Sequence, residues 1–231
     1  VVGTAGVLVP PVGYLEGVRA LCDKYGIKWI ADEVMSGFGR TGKWFAYQHS
    51  TAEPDLIVFA KGVNSGYVPL GGVIISDEIA ATFNDRVFPG GLTYSGHPLA
   101  TAAAVATIDV MAEEKMVENA AAIGENVIKP LLQELMAKHK VIGEVRGKGV
   151  FWALDLVTDR ATRAPLAPYG ASSPAMNELV AACKKLGLFP FNNYNRMHIC
   201  PPCNVTEAEI REGFAILDQA FASIAHHYTG A

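Results

Sequence analysis

The sequence predicts an α/β architecture followed by a smaller α+β domain, and three observations carry that prediction. Helical periodicities alternate with short, continuous apolar runs through the first half. Those runs end in isolated charged residues. Past about Glu113 they give way to a long, charged, amphipathic stretch. Continuous apolar strands separated by helices imply a mostly parallel sheet covered on both faces. The expected division is 1–113 for the sheet domain and 114–231 for the second domain.

Residues 12–25 read as an amphipathic helix, with Leu15, Val18, Leu21, Cys22 and Tyr25 on one face and Gly26 as its stop. A mostly apolar strand at 27–31 ends at Asp32-Glu33, and a glycine-rich loop, SGFGRTG, follows at 36–42. A second strand, 56–60, ends at Lys61, and a third spans 72–75. After a loop at 89–98, residues 99–111 form an alanine-rich helix. The second half opens with one long helix at 116–138, then strands at 141–145 and 149–156. Helices at 174–186 and 207–224 flank a short strand at 197–200, and 158–173 reads as a linker.

With 231 residues, half of them hydrophobic and 18% charged, the chain can bury a sizeable core and is not a disordered protein. Nineteen basic against 23 acidic residues give a net charge of −4, so no broad basic surface is available for nucleic acid. Apolar stretches are interrupted well before about 18 residues, which argues against a membrane span. Four scattered cysteines lack the density of a secreted scaffold, so a cytoplasmic location is expected. The chain starts on VVGTAGVLVPP, inside a buried-strand pattern and without an initiator Met, as a part of a longer polypeptide would.

In an open α/β sheet, ligands bind beyond the carboxyl ends of the strands. Two strands deliver opposite charges there, Asp32 and Lys61. An ionisable group at the end of an apolar run is held partly desolvated, and burial makes a lysine amine nucleophilic near neutral pH. Each group also has a plain structural reading, Asp32 as a loop cap and Lys61 as a solvated strand end.

Three segments bear on that choice: ADEVMSGFGRTG at Asp32, FAKGVNSGYVPLGG at Lys61 and GGLTYSGHPLATAAA at Thr93. In this order and spacing they resemble the class III aminotransferases, pyridoxal-phosphate enzymes of fold type I. GVLVPPVGYLEGVRALCDKYGI, VRGKGVFWALDL and PPCNVTEAEI are similar to family segments too, so the resemblance covers almost the whole chain, as its C-terminal half. It implies that Lys61 forms the Schiff base with pyridoxal 5'-phosphate and moves the proton between substrate and cofactor carbons. Asp32 would keep the pyridine nitrogen protonated, so that the ring acts as an electron sink. Val34 would pack on the ring face. Thr93 would bind the phosphate of the neighbouring subunit's cofactor, which implies a homodimer or a dimer of dimers. The structural alternative for Thr93 is a cap on the helix after it.

The implied reaction is transamination of an ω-amino acid or amine with a keto acid, pyruvate or 2-oxoglutarate. Taurine, β-alanine, 4-aminobutyrate and aromatic amines stay open as donors. A racemase, aminomutase or decarboxylase of the same family is the alternative, as is a non-catalytic cofactor-binding subunit. Met35 stands where some relatives carry a Gln that bonds the ring hydroxyl, which points toward the ω-amine subgroup. Many relatives place an Arg for the substrate carboxylate in slots that here hold Phe191, Asn193 or His198. Either Arg196, with Asn192 and Asn193, does this job, or the part of the protein expected before Val1 does; Arg146 in VRGKG reads as structural.

GFGRTG has the glycine spacing of a dinucleotide loop, but KWFAYQHSTAEPD after it is not an amphipathic helix, so no NAD site is expected. Cys200 and Cys203 of CPPC precede the capping box Thr206-x-x-Glu209, which gives them a strand-exit position rather than a redox one. His226 and His227 fall in a tail expected to fray, and no spacing suggests a metal site.

Overall fold

A computed structural model describes residues 1–230. By contacts the chain divides into two compact units, one of Val1 with Pro10–Glu118 and one of Val2–Val9 with Asn119–Ala231.

The first unit is built on a three-stranded sheet. Helix α1 (Tyr14–Tyr25) closes on Gly26, which takes the left-handed conformation (φ 65°) expected of a helix stop. Strand β1 (Ile30–Asp32) pairs in parallel with β2 (Leu56–Phe59), which pairs antiparallel with β3 (Gly72–Ile75). Helix α2 (Asp77–Ala81), capped by Ser76, had no clear signal in the sequence; α3 (Pro98–Glu113) extends the expected helix at both ends.

The expected cover on both sheet faces is not supplied by these elements. Val73, Ile74 and Ile75 of β3 are exposed, and α1 has no buried residue. The unit's core lies instead where Phe38, Val63, Ala104, Met111 and Val117 pack together, with Phe59 and Leu70 against them.

The second unit has an all-antiparallel sheet of order β4-β5-β8-β7, with β6 on β5. Its strands are β4 (Ile142–Lys148), β5 (Phe151–Asp159), β6 (Ala164–Pro165), β7 (Phe191–Asn193) and β8 (Arg196–Ile199). Helices α6 (Pro174–Lys185) and α7 (Glu207–Ser223) complete a core that includes Leu154, Met176, Leu179, Leu217 and Phe221. The capping box at α7 forms as expected: the Thr206 hydroxyl accepts from the Glu209 N–H, and the Glu209 carboxylate accepts from the Thr206 N–H at 2.8 Å.

Three expectations change here. The single helix at 116–138 is two, α4 (Met116–Ile123) and α5 (Lys129–Lys138), joined by a wider π-type turn at Gly124–Ile128. The cause is a close approach: a Cβ on Gly124 would lie 2.0 Å from the Gly149 carbonyl oxygen, at the β4–β5 turn. Residues 158–173 are not a linker, because β6 pairs with β5 and Leu166 and Ala167 are buried in the core. The end of the chain is tied down: the Thr229 N–H donates to the Thr158 carbonyl at 2.8 Å, and Ile224 is fully buried.

Candidate functional site

Asp32 is the last residue of β1 and lies opposite Val58 in the parallel register. Lys61 follows β2 two residues after Phe59, so both groups leave the same edge of the sheet from neighbouring strands. Neighbouring strands are about 4.8 Å apart, so the two residues leave adjacent positions at the carboxyl ends of the strands. Both side chains are exposed. Desolvation of either group by the apolar runs of this chain, as expected from the sequence, is therefore not found: Ala31 and Ile57 are the buried members of those runs, and Ile27 and Ile30 are themselves exposed.

Backbone geometry marks Lys61 as special. It has φ 49°, a left-handed conformation that a long side chain adopts only where surrounding structure holds it. It opens a single turn, Lys61–Asn64, whose buried Asn64 donates from Nδ2 to the Val68 carbonyl at 2.5 Å. Gly62 is pressed on Phe38, where a Cβ would sit 2.9 Å from the Phe38 Cβ. The Phe38 ring meets Phe45 and Phe59 edge-on at 5.5 and 5.7 Å. The glycine-rich loop after Asp32 is thereby packed directly under the turn that carries Lys61.

That loop is fixed by a residue the sequence reading passed over. Glu33 is buried, and its carboxylate accepts from the Ser36 hydroxyl at 2.5 Å and from the Ala46 and Tyr47 N–H groups at 2.9 and 2.8 Å. Its carbonyl accepts from the Gly37 N–H at 2.9 Å. An acid beside the candidate acid, within an otherwise apolar run, was the available signal. The loop leads to a short turn at Ala46–His49 and not to a long helix.

The Val34 N–H donates to Asp32 Oδ1 at 3.0 Å, a local turn that orients the carboxylate. Val34 is half-buried and belongs to neither core cluster, unlike an ordinary packing valine. Thr93 is exposed, in a turn where the Ser95 N–H donates to the Leu92 carbonyl. It does not cap α3. His97 does, its Nδ1 accepting from the Leu99 N–H at 3.2 Å.

In the second unit Arg196 opens β8 opposite Asn193 of β7, with its guanidinium over the Tyr194 ring. It lines a cavity of about 690 Å³ with Arg146, Arg160 and Arg163, against Glu144 and Asp155. Arg146 is structural, as expected. It pairs with Asp155 at 2.5 Å and donates to the Gly6 carbonyl at 2.7 Å. His198 is a buried residue of β8; burial, and then the charges of Arg196 and Arg146, hold its ring below the usual histidine range. Cys200 and Cys203 lie past the end of β8.

The model of the family "Aminotransferase class-III" matches residues 1–221. The chain belongs to that family. It is 40% identical to a taurine–pyruvate aminotransferase of Bilophila wadsworthia, covering 95% of this chain and 50% of the relative. It is 39% identical to a putrescine–pyruvate aminotransferase of Pseudomonas aeruginosa, over 96% of this chain and 49% of that one. Among solved structures, the taurine:2-oxoglutarate aminotransferase of Bifidobacterium kashiwanohense, in complex with PLP and glutamate, superposes with a TM-score of 0.94. The identity is 45%, over 99% of this chain and 51% of that one. The chain thus has the fold of the pyridoxal-phosphate transaminases, fold type I, and spans about half the length of these relatives. No helix among the described residues is long and apolar enough to cross a membrane.

Proposed function

We propose that this chain carries the catalytic lysine of a pyridoxal-phosphate-dependent transaminase that moves an amino group between an ω-amino acid or amine and a keto acid, pyruvate or 2-oxoglutarate. The single observation behind this reading is the pairing of Asp32 and Lys61 at the ends of neighbouring parallel strands. The donor set suits the cofactor, with a carboxylate for a protonated ring nitrogen and a primary amine for an aldehyde. The names of the relatives, taurine, putrescine and 5-aminovalerate aminotransferases among them, support an ω-amino donor.

Bound pyridoxal phosphate supplies an aldehyde and a ring that accepts electrons. Asp32 holds the proton on the ring nitrogen, and the Val34 N–H bond to its Oδ1 keeps the carboxylate in place. Lys61 Nζ would hold the cofactor through its aldehyde and would serve as the base that moves the proton. The left-handed turn sets the backbone from which that side chain leaves. Val34 packs on the ring face. Thr93 reaches the phosphate of a neighbouring subunit's cofactor in a homodimer or a dimer of dimers, a role its exposure and its freedom from capping α3 support.

Arg196, with Asn193 opposite, is the anchor for the substrate's carboxylate or sulfonate. Four arginines against two carboxylates make its cavity attractive to anions. We read the chain as the second part of a large cofactor domain, 1–113, and a small domain, 114–231; by contacts the break comes after Glu118, and Val2–Val9 join the second unit. We place the protein in the cytoplasm on its sparse cysteines.

Borohydride reduction of the holoenzyme followed by peptide mapping tests the assignment. The expected label is on Lys61, and label on another lysine overturns it. An amine given alone should convert the cofactor to its amino form; a spectrum that stays unchanged with every donor overturns transamination.

A further inference from the structure

Outside the candidate site, one cluster brings metal-ligating groups to a point. Glu178 of α6 faces His226 and His227, which sit in a short 3-10 turn, Ala225–His227, after α7. Glu178 Oε2 lies 3.0 Å from His227 Nε2 and 3.7 Å from His226 Nε2, and the three donor atoms all lie within 4.8 Å of one another. The imidazoles lean together, with centroids 4.0 Å apart. We propose that Glu178, His226 and His227 form a zinc site that ties helix α6 to the end of the chain.

Metal–ligand distances support this. Tetrahedral zinc with bonds of about 2.0–2.1 Å separates its ligand atoms by about 3.3 Å, a value bracketed by the 3.0 and 3.7 Å contacts. Tautomer chemistry agrees. His226 Nδ1 lies 3.1 Å from the Ser223 carbonyl oxygen, which can only accept, so Nδ1 holds the proton and the Nε2 lone pair points at the cluster. That lone pair faces the Glu178 carboxylate with no proton between them, and a cation there satisfies both groups and His227 at once.

The turn is also preorganised. The His227 N–H donates to the Ile224 carbonyl, Ile224 is fully buried, and Thr229 and Gly230 both donate to the Thr158 carbonyl on β5. Two nitrogen ligands and one oxygen favour Zn²⁺ over Mg²⁺ or Ca²⁺ and leave a fourth position for water. The residues are open to solvent, with side-chain exposures of 42%, 62% and 27% for Glu178, His226 and His227. Zinc can therefore enter without unfolding. The site is a staple and takes no part in amino transfer.

Zinc chloride titrated into the metal-stripped holoenzyme by calorimetry tests this, beside a His226→Ala/His227→Ala double variant and a Glu178→Gln variant. The expected result is one zinc per chain, bound at least tenfold more weakly by both variants. Zinc should raise the unfolding temperature of the parent and leave the double variant's unchanged. Circular dichroism and unfolding in chelator control for folding, since exposed substitutions there should match the parent. Equal zinc affinity in parent and double variant, no binding by the parent, or displacement by millimolar magnesium overturns the site.

Discussion

At the scale of single residues, Lys61 shows a conflict between stability and chemistry. A left-handed φ of 49° destabilises a side-chain-bearing residue by about 1 kcal/mol or more relative to glycine. Lys61→Gly should therefore raise the unfolding free energy of the cofactor-free protein by about 1 kcal/mol while abolishing amino transfer. Urea unfolding with a donor assay checks both halves, and a destabilised variant would mean that the turn relies on lysine itself. Both charges were legible in the sequence because each ends an apolar run. For Glu33 the sequence offered only its place beside Asp32; its role depends on Ser36, Ala46 and Tyr47 folding back onto it, and local spacing does not show those contacts.

Among the elements, apolar periodicity located α1, α3, α6 and α7 within a few residues, and β2 and β3 within one. It failed at Gly124 for a physical reason. The apolar face of 116–138 is continuous through the π-type turn, and what widens the helix is the Gly149 carbonyl of a distant hairpin. Such a bulge answers a tertiary approach and leaves no trace in spacing. Gly124→Ala forces either that hairpin or the helix to shift, and the expected loss is about 1–3 kcal/mol. The urea midpoint should fall with an unchanged slope. A variant as stable as the parent would show that the turn can absorb a methyl group. Strands β6 and β7 escaped the sequence reading for a similar reason: two and three residues long, they exist through pairing with β5 and β8.

For the molecule as a whole, patterning showed which faces are apolar and not what covers them. The second unit closes its own core, with Leu132, Leu154, Met176, Leu179 and Phe221 fully buried. The first unit leaves Leu21, Tyr25, Val73, Ile74, Leu99 and Val105 of α1, β3 and α3 between 46% and 63% exposed. Apolar patches of this kind drive association in water. The 231-residue chain on its own should therefore enhance the fluorescence of a hydrophobic dye and sediment as concentration-dependent oligomers. A Val73→Lys/Val105→Lys pair should reduce both signals and keep the helical circular dichroism, because neither side chain belongs to a core cluster. A monomeric chain that leaves the dye dark would show that these faces close on the chain itself in solution, and the first unit would then need a different packing from the one described.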